Sequence, residues 1–202
     1  MDKSLFIILI LFAYLFGSVN FATLFTYIKR GINIRELGDH NPGATNVYLH
    51  VDKRMGVLVF ILDALKGFIP LTFAKRAGAS DAILLIVALS AILGHDYPIF
   101  YHFKGGTGIS TTIGCGLFFA PKEMFIIALF TIPIMYFLLY LKKKNSSILP
   151  LETGEATIYI SFLSFTFMRG EANEVKMFFL TATIAVVIRK FDVVEHFFGK
   201  EG

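Results

Sequence analysis

The stretch that decides the fold is residues 5–28, LFIILILFAYLFGSVNFATLFTYI, and it is followed shortly by a polar motif at residues 41–46, NPGATN. The apolar run is long enough to cross a membrane, because a helix of about 20 mostly apolar residues spans the hydrocarbon core. Its length and the absence of a small-residue cleavage pattern after it favour an anchor helix over a signal peptide. The motif is therefore expected at a bilayer surface.

Composition extends this interpretation to the whole chain. Of the 202 residues, 55% are hydrophobic and 17% are charged, and the mean hydropathy is +0.68. These values are typical of an all-α integral membrane protein, and the apolar runs lack the alternation of a membrane barrel. Further spans are predicted at 55–73, 82–101, 125–141, 157–168 and 176–188, with a shorter helix at 109–119. We expect one polytopic domain over residues 1–202, with about seven transmembrane helices.

The distribution of positive charge predicts the topology. Lysines and arginines are more numerous in the loops on one face of the predicted bundle, and such loops lie in the cytoplasm. The N-terminus is then outside and the C-terminus cytoplasmic. Both polar motif loops fall on the cytoplasmic face.

Several classes of function are disfavoured. The single cysteine, Cys115, cannot form an intramolecular disulfide, and no His/Cys pattern has zinc spacing. No metal and no cofactor are therefore expected. The inside-positive loops account for the net charge of +4, so a nucleic acid partner is not expected.

The first polar loop combines turn residues with phosphate-type ligands. Gly43 and Pro42 permit a turn in which backbone N–H groups converge on an anion, and Arg35 supplies a forked cation. Neutral hydrogen bonds are expected from Asn41, Thr45 and Asn46. The alternative is an ordinary Asn-Pro-Gly turn with Arg35 as a membrane-surface anchor.

The second polar loop follows the span at 82–101. Lys104 precedes three glycines, Gly105, Gly106 and Gly108, and a helix then begins, which together favour phosphate binding. Close helix packing is the competing explanation for the glycines. His95 is either a base or phosphate ligand, or a helix-capping residue.

Polar residues within or beside the spans are interpreted more conservatively. A serine such as Ser18 most often bonds its own helix backbone. Asp63 and Lys66 share a helix face and are expected to pair as structural support. Snorkelling explains Arg189 as well as chemistry does, while Ser147, after a lysine run, could reach a phosphate.

The ordered motifs resemble those of the bacterial acyl-phosphate-dependent glycerol-3-phosphate acyltransferases, the PlsY type. The likeness spans nearly the whole chain. Its densest parts are residues 13–18, Arg35 with 41–46, 63–67, and 93–95 through 103–106, with residues 146–148 resembling the family's serine-bearing loop.

The resemblance implies a seven-helix enzyme of the bacterial inner membrane with its active site facing the cytoplasm. It would move a fatty acyl group from acyl phosphate to the 1-hydroxyl of glycerol 3-phosphate, giving lysophosphatidic acid and phosphate. The implied partners are acyl phosphate, glycerol 3-phosphate and membrane lipid, and a monomer is expected. The implied catalytic residues are Ser18, Arg35, His95 and Lys104. The implied binding residues are Asn41, Gly43, Thr45, Asn46, Gly105, Gly106, Gly108 and Ser147.

No residue is an obvious catalytic base with an orienting acid. Because acyl phosphate is already activated, we hypothesise that positioning, charge neutralisation and proton uptake by the donor's own phosphate suffice. No histidine is followed five residues later by aspartate, the pair found in acyl-CoA acyltransferases, which argues against acyl-CoA as donor.

The chain departs from the family pattern inside the motifs. Thr107 stands where the family has lysine, Asp39-His40 replaces a Ser-Gly pair, and Val193 replaces an asparagine. The terminal stretch 199–201 only approximates the family's Gly-Thr-Glu. A divergent paralogue with another phosphorylated acceptor or acyl donor is therefore an alternative. A transporter of a phosphorylated solute is disfavoured, because the motifs lie at helix ends and not at mid-membrane.

Overall fold

The computed structural model describes residues 3–144 and 173–198, and these ranges contain helices and no strand. The predicted span at 157–168, Ser147 and residues 199–201 lie outside the described residues. The α-helices of the described chain are α1 Lys3–Gly17, α2 Phe21–Arg30, α3 Ala44–His50, α4 Lys53–Arg76, α5 Asp81–Asp96, α6 Ile109–Phe119, α7 Pro121–Lys144 and α8 Asn173–Phe198. Short 3-10 helices cover Ile34–Glu36 and Ile99–Tyr101.

Three segments of the described chain are long and apolar enough to cross a membrane. They are Ser4–Arg30, Lys53–Arg76 and Asp81–Tyr101, with 27, 24 and 21 residues. Helix α6 is apolar but has 11 residues, and at 1.5 Å per residue it reaches about half of the hydrocarbon thickness. The all-helical membrane fold is confirmed, while the seven crossings and the positions of the termini stay predictions.

The first predicted span is not one continuous helix. It divides into α1 and α2, and Asn20 between them is extended, with φ −95° and ψ 94°. The Asn20 Oδ1 atom caps α2 by accepting a hydrogen bond from the Thr23 N–H at 2.7 Å. The predicted span over 5–28 coincides with the Ser4–Arg30 segment, but the expectation of one continuous helix was wrong, because the Asn20 cap starts a second helix within it.

The predicted span at 82–101 also ends earlier as an α-helix. Helix α5 stops at Asp96, and Pro98 begins the turn that leads into the second polar loop. A residue before proline is disfavoured in the α conformation, so Tyr97 cannot easily continue the helix. The chain is thereby turned at the point where the predicted site begins.

Helices α1 and α5 pack in direct backbone contact. A methyl group on Gly17 would lie 2.4 Å from the Ala91 carbonyl oxygen, and one on Gly94 would lie 2.2 Å from that of Tyr14. Small residues of this kind let membrane helices approach closely. The contact fixes the end of α5 beside the break between α1 and α2.

A second glycine contact joins α4 to α6. A methyl group on Gly67 would lie 2.2 Å from the Thr111 carbonyl oxygen, and one on Gly114 would lie 1.8 Å from that of Ala64. Helix α6 is consequently held against the middle of α4. Its first turn, which follows the second polar loop, is thereby placed next to α5.

The outer surface of the bundle is apolar, as lipid requires. Ile8 on α1 is 60% exposed and Phe125 on α7 is 71% exposed, whereas Phe178 and Phe179 of α8 are fully buried. Exposed side chains of this size are unfavourable in water and favourable in hydrocarbon.

Candidate functional site

The break between α1 and α2 anchors the first polar loop. Asn20 is buried, and its Nδ2 group donates a hydrogen bond to the Pro42 carbonyl oxygen at 3.2 Å. The same side chain caps α2 through Thr23. Asn20 was not among the predicted site residues, although an asparagine inside the apolar run at 5–28 was a usable signal.

Asn46 lies behind the first loop. It is 2% exposed, and its Nδ2 group donates hydrogen bonds to the carbonyl oxygens of Ile34 at 3.3 Å, Leu37 at 2.8 Å and Asn41 at 3.0 Å. The structure therefore gives Asn46 the task of shaping the loop. Thr45 is exposed beside it at the start of α3.

Arg35 joins the two polar loops. The half-buried guanidinium donates from Nη1 to Thr23 Oγ1 at 2.9 Å and from Nη2 to the Lys104 carbonyl oxygen, and it lies 5.6 Å from the centre of the Tyr101 ring. Burial lowers the pKa of Arg35, but a guanidinium remains charged at any physiological pH. The Lys104 side chain is exposed, so the second polar loop adds a solvent-accessible lysine to the residue that Arg35 contacts.

Gly106 is the point where the two motifs meet most closely. A methyl group there would lie 2.5 Å from His95 Nε2 and 3.3 Å from Asn41 Oδ1. Only glycine leaves both side chains in place. The structure thus brings together Arg35, Asn41, His95, Lys104 and Gly106 from the predicted set.

The glycine loop pairs with the end of α5. The Gly105 N–H donates to the Asp96 carbonyl oxygen at 3.1 Å, and the Gly106 N–H donates to that of His95 at 3.2 Å. These two amides are occupied by protein acceptors, so they serve close packing. Gly108 adopts a left-handed conformation, with φ 68°, directly before α6.

Arg189 of α8 fixes the other side of the glycine loop. It is 9% exposed, donates from Nη2 to the Gly105 carbonyl oxygen at 3.0 Å and from Nε to that of Gly106 at 3.3 Å, and stacks 4.8 Å from the Tyr97 ring centre. Its contacts bind the loop and not the membrane surface. No local sequence signal identified this role, since Arg189 lies more than 80 residues from the glycine loop.

Three ionisable side chains are buried beneath the loops. Lys66 Nζ lies 2.7 Å from Asp63 Oδ1, 2.7 Å from the Val19 carbonyl oxygen and 3.2 Å from His95 Nδ1. Lys66, Asp63 and His95 are each at most 4% exposed. The predicted Asp63–Lys66 pair is present, and it extends to His95.

Ser18 makes the hydrogen bond to its own helix backbone that helix chemistry predicts. The side chain is fully buried, and its Oγ donates to the Tyr14 carbonyl oxygen at 2.8 Å. Gly43, by contrast, is partly accessible at the start of α3, where Asn41 lies within 3.2 Å of its missing methyl position.

Asp39 and His40, which replace the family's Ser-Gly pair, form a well-defined turn. Asp39 Oδ1 accepts a hydrogen bond from the Asn41 N–H at 3.1 Å, and His40 is left-handed with φ 60°. Glycine, the family's residue at position 40, adopts that conformation freely. Partial removal from water raises the pKa of Asp39, and the Asn41 N–H opposes the shift.

The Thr107 departure lies in a buried polar region at the start of α6. Thr107 is 9% exposed. In the described part of the chain, both Asp96 carboxylate oxygens and the hydroxyls of Thr111 and Thr112 are buried without a hydrogen-bond partner. A methyl group on Gly108 would lie 2.5 Å from Asp96 Oδ1, so a glycine also makes room for this carboxylate.

Fold and site together define a helical integral membrane protein whose two polar loops meet at one cation-rich site. A family model described as glycerol-3-phosphate acyltransferase matches residues 7–197. The chain belongs to the glycerol-3-phosphate acyltransferase family.

Relatives and solved structures agree with that assignment. A glycerol-3-phosphate acyltransferase of Aquifex aeolicus (strain VF5) is 37% identical over 187 residues, covering 92% of this chain and 90% of that protein. The crystal structure of PlsY (YgiH), an integral membrane glycerol 3-phosphate acyltransferase, in its glycerol 3-phosphate form has a TM-score of 0.79 and 31% identity, covering 98% of this chain and 94% of the other. The crystal structure of the lysophosphatidic acid form of the same enzyme has a TM-score of 0.76 and 30% identity, again covering 98% of this chain and 94% of the other.

Proposed function

We propose that this protein transfers a fatty acyl group from acyl phosphate to the 1-hydroxyl of glycerol 3-phosphate. The hydroxyl oxygen bonds to the acyl carbon while the bond from that carbon to the phosphate oxygen breaks. Lysophosphatidic acid and inorganic phosphate result, and the phosphate takes up the hydroxyl proton. The observation that carries the proposal is the junction of the two loops, where Arg35 bonds the Lys104 backbone and His95 and Asn41 meet at Gly106.

The roles of the residues follow from charge and access. Arg35 and Lys104 neutralise phosphate, since the Arg35 guanidinium lies where the two loops meet and the Lys104 side chain is exposed. The side chains of Asn41 and Thr45 supply neutral hydrogen bonds, whereas the Gly43 N–H already donates to the Asn41 carbonyl oxygen at 2.9 Å, so Gly43 serves by shaping the turn. Ser18 and Asn46, both buried in backbone hydrogen bonds, act by holding the loops.

Chemistry without a strong base fits this arrangement. His95 Nδ1 lies 3.9 Å from Asp63 Oδ1, beyond hydrogen-bond distance, so Asp63 does not orient the imidazole as the aspartate of a Ser-His-Asp triad would. An activated donor needs positioning and charge neutralisation more than proton abstraction. No cofactor enters the proposed reaction.

The proposed setting is the bacterial inner membrane, with the site facing the cytoplasm. Seven crossings by a monomer, with the N-terminus outside, complete the proposal. Positive residues near the loops, such as Lys29, Arg30 and Lys53, support that orientation.

The test is phosphate release by the purified protein in lipid nanodiscs with palmitoyl phosphate, with and without glycerol 3-phosphate. Lys104→Ala removes a charge-assisted contact of about 1.5–3 kcal/mol, so release is expected to fall by roughly 10- to 150-fold. Lys75→Ala, on the exposed end of α4, is the matched control and should leave release unchanged.

A variant acceptor or donor is the second candidate function. Asp39 adds a negative charge next to Asn41, and Thr107 lacks the family's lysine charge. Release that requires another phosphorylated alcohol, or another acyl donor, would support this candidate against the first.

A further inference from the structure

The Lys66 ammonium contacts three groups from three parts of the fold, through two hydrogen bonds and one ion pair. The Val19 carbonyl oxygen comes from the break between α1 and α2, Asp63 from α4 and His95 Nδ1 from the end of α5. The distances are 2.7, 2.7 and 3.2 Å. Lys66 is fully buried, so water does not compete for these bonds.

Counting donors assigns the proton on His95. An ammonium has three N–H donors and no acceptor, and a carbonyl or carboxylate oxygen can only accept. Because the Lys66 ammonium has no lone pair, its hydrogen bond with His95 Nδ1 at 3.2 Å requires Nδ1 to offer one. In a neutral imidazole the proton then resides on Nε2.

Electrostatics supports the same protonation state. An imidazolium would place a second positive charge with Nδ1 3.2 Å from the Lys66 ammonium in a buried setting. Asp63 Oδ1 lies 2.7 Å from Lys66 Nζ but 3.9 Å from His95 Nδ1, so the carboxylate pairs with the lysine.

His95 Nε2 faces the junction of the two loops. It lies 2.5 Å from the position that a methyl group on Gly106 would occupy. That same position is 3.3 Å from Asn41 Oδ1. The atom that carries the proton is thus the atom turned toward the proposed substrate site.

We infer that Lys66 is a positioning residue that holds His95 in the Nε2–H tautomer, so that His95 donates a hydrogen bond to a substrate oxygen and does not abstract a proton. This inference rests on the proposed function for the identity of the substrate, but the tautomer itself can be measured without substrate. The acceptor is an oxygen of the acyl phosphate or of the phosphorylated acceptor.

The first test is ¹⁵N NMR of ring-labelled histidine in the full-length protein in nanodiscs, without substrates. The five histidines are separated by subtracting the spectrum of His95→Gln. The expected result is an unprotonated Nδ1 and a protonated Nε2 on His95. A proton on Nδ1, or on both nitrogens, would overturn the inference even if the enzyme were fully active.

Lys66→Met tests the cause of that tautomer. It removes the donor to Nδ1 while keeping an unbranched side chain, and the His95 signals are expected to become a mixture of the two tautomers. Lys75→Met on the exposed end of the same helix is the control and should leave them unchanged. A pure Nε2–H tautomer in folded Lys66→Met would show that Lys66 does not set it.

Two substitutions of His95 test the chemical role. The Gln amide can place an N–H near the Nε2 position, whereas the Asn amide reaches only the Nδ1 position. His95→Gln is expected to keep kcat within about tenfold of the wild type, and His95→Asn to lose about 100-fold, as when one oxyanion donor is removed. An equal fall in kcat for folded His95→Gln and folded His95→Asn would contradict the role of His95 as a hydrogen-bond donor. Wild-type protein inactive on every acyl phosphate would instead refute the proposed function, with the NMR result still standing.

Discussion

At the scale of single residues, Arg35 connects the two polar loops by directional hydrogen bonds as well as by its charge. One guanidinium bonds Thr23 Oγ1 and the Lys104 carbonyl oxygen at once, and it lies beside the Tyr101 ring. Lysine has the charge but not the planar fork that makes two such bonds in fixed directions.

Arg35→Lys is therefore expected to lower kcat/KM by roughly 10- to 150-fold, since one charge-assisted hydrogen bond is worth about 1.5–3 kcal/mol. Steady-state kinetics with glycerol 3-phosphate as the varied substrate would measure this. Arg30→Lys is the control, because Arg30 makes an exposed bond to the Val51 carbonyl oxygen at 2.9 Å. An unchanged kcat/KM in Arg35→Lys would mean that only its charge matters.

Asp39 gives a prediction about pH. Its carboxylate lies next to Asn41, and its pKa is raised by partial burial above the ordinary 3.8. Asp39→Asn keeps the hydrogen bond to the Asn41 N–H and removes the charge, so KM for the phosphorylated acceptor is expected to fall at neutral pH.

The lower KM of Asp39→Asn relative to the wild type is expected at pH values where Asp39 is ionised. This difference in KM should shrink as the pH falls through the raised pKa and the carboxylate takes up a proton. KM measured for both proteins across the acidic range tests this, and an equal KM at neutral pH would show that Asp39 does not repel the substrate.

Site residues in short motifs could be predicted from the sequence, whereas contacts between distant residues could not. Arg35, Lys104 and the glycines were predicted for the site because charge and backbone freedom are visible in a short motif. The contacts of Arg189 with Gly105 and Gly106 join positions more than 80 residues apart. No local pattern reveals such a pairing, and the link from Lys66 to His95 was missed for the same reason.

At the scale of helices, backbone contact at glycine decides the packing. Gly114 of α6 has no room for a methyl group, which would lie 1.8 Å from the Ala64 carbonyl oxygen. At Gly116, on the same helix, the methyl would meet the flexible Met124 side chain, with Sδ at 2.6 Å.

Gly114→Ala is expected to lower Tm, because two helix backbones must separate, whereas Gly116→Ala should change it little. Alanine favours a helix over glycine by about 1 kcal/mol at either position, so that term cancels in the comparison. Thermal unfolding can be followed with a thiol-reactive fluorophore, since Cys115 is the one cysteine and is buried. Equal Tm values for the two variants would contradict the packing described for α4 and α6.

Helix boundaries show where a sequence pattern fails. Apolar content predicted α4 well, but it missed the break between α1 and α2, since the average hydropathy of residues 5–28 stays high despite the polar Ser18 and Asn20. Asn20 satisfies its amide group on Thr23 and Pro42, and such a cap becomes evident only when its partners are known. Helix chemistry predicted the hydrogen bond from Ser18 to its own helix backbone, whereas the catalytic role that the resemblance implied for Ser18 stays a prediction.

At the scale of the whole molecule, the orientation in the membrane decides which substrates reach the site. In a Cys115→Ser background, His102→Cys marks the second polar loop and Lys75→Cys the opposite end of α4, and both positions are exposed. An impermeant maleimide is expected to label Lys75→Cys in intact spheroplasts, and His102→Cys only after the membrane is opened. The reverse pattern would place the site outside the cytoplasm and overturn the proposed topology.

The central claim is that the junction of the two loops carries acyl transfer to glycerol 3-phosphate. Its most direct test is mass spectrometry of the lipid formed from palmitoyl phosphate and ¹³C-labelled glycerol 3-phosphate by the purified protein in nanodiscs. We predict ¹³C-labelled 1-palmitoyl lysophosphatidic acid with the wild type and strongly reduced amounts with Arg35→Lys or Lys104→Ala. Folded wild-type protein that forms none of this lipid would contradict the account.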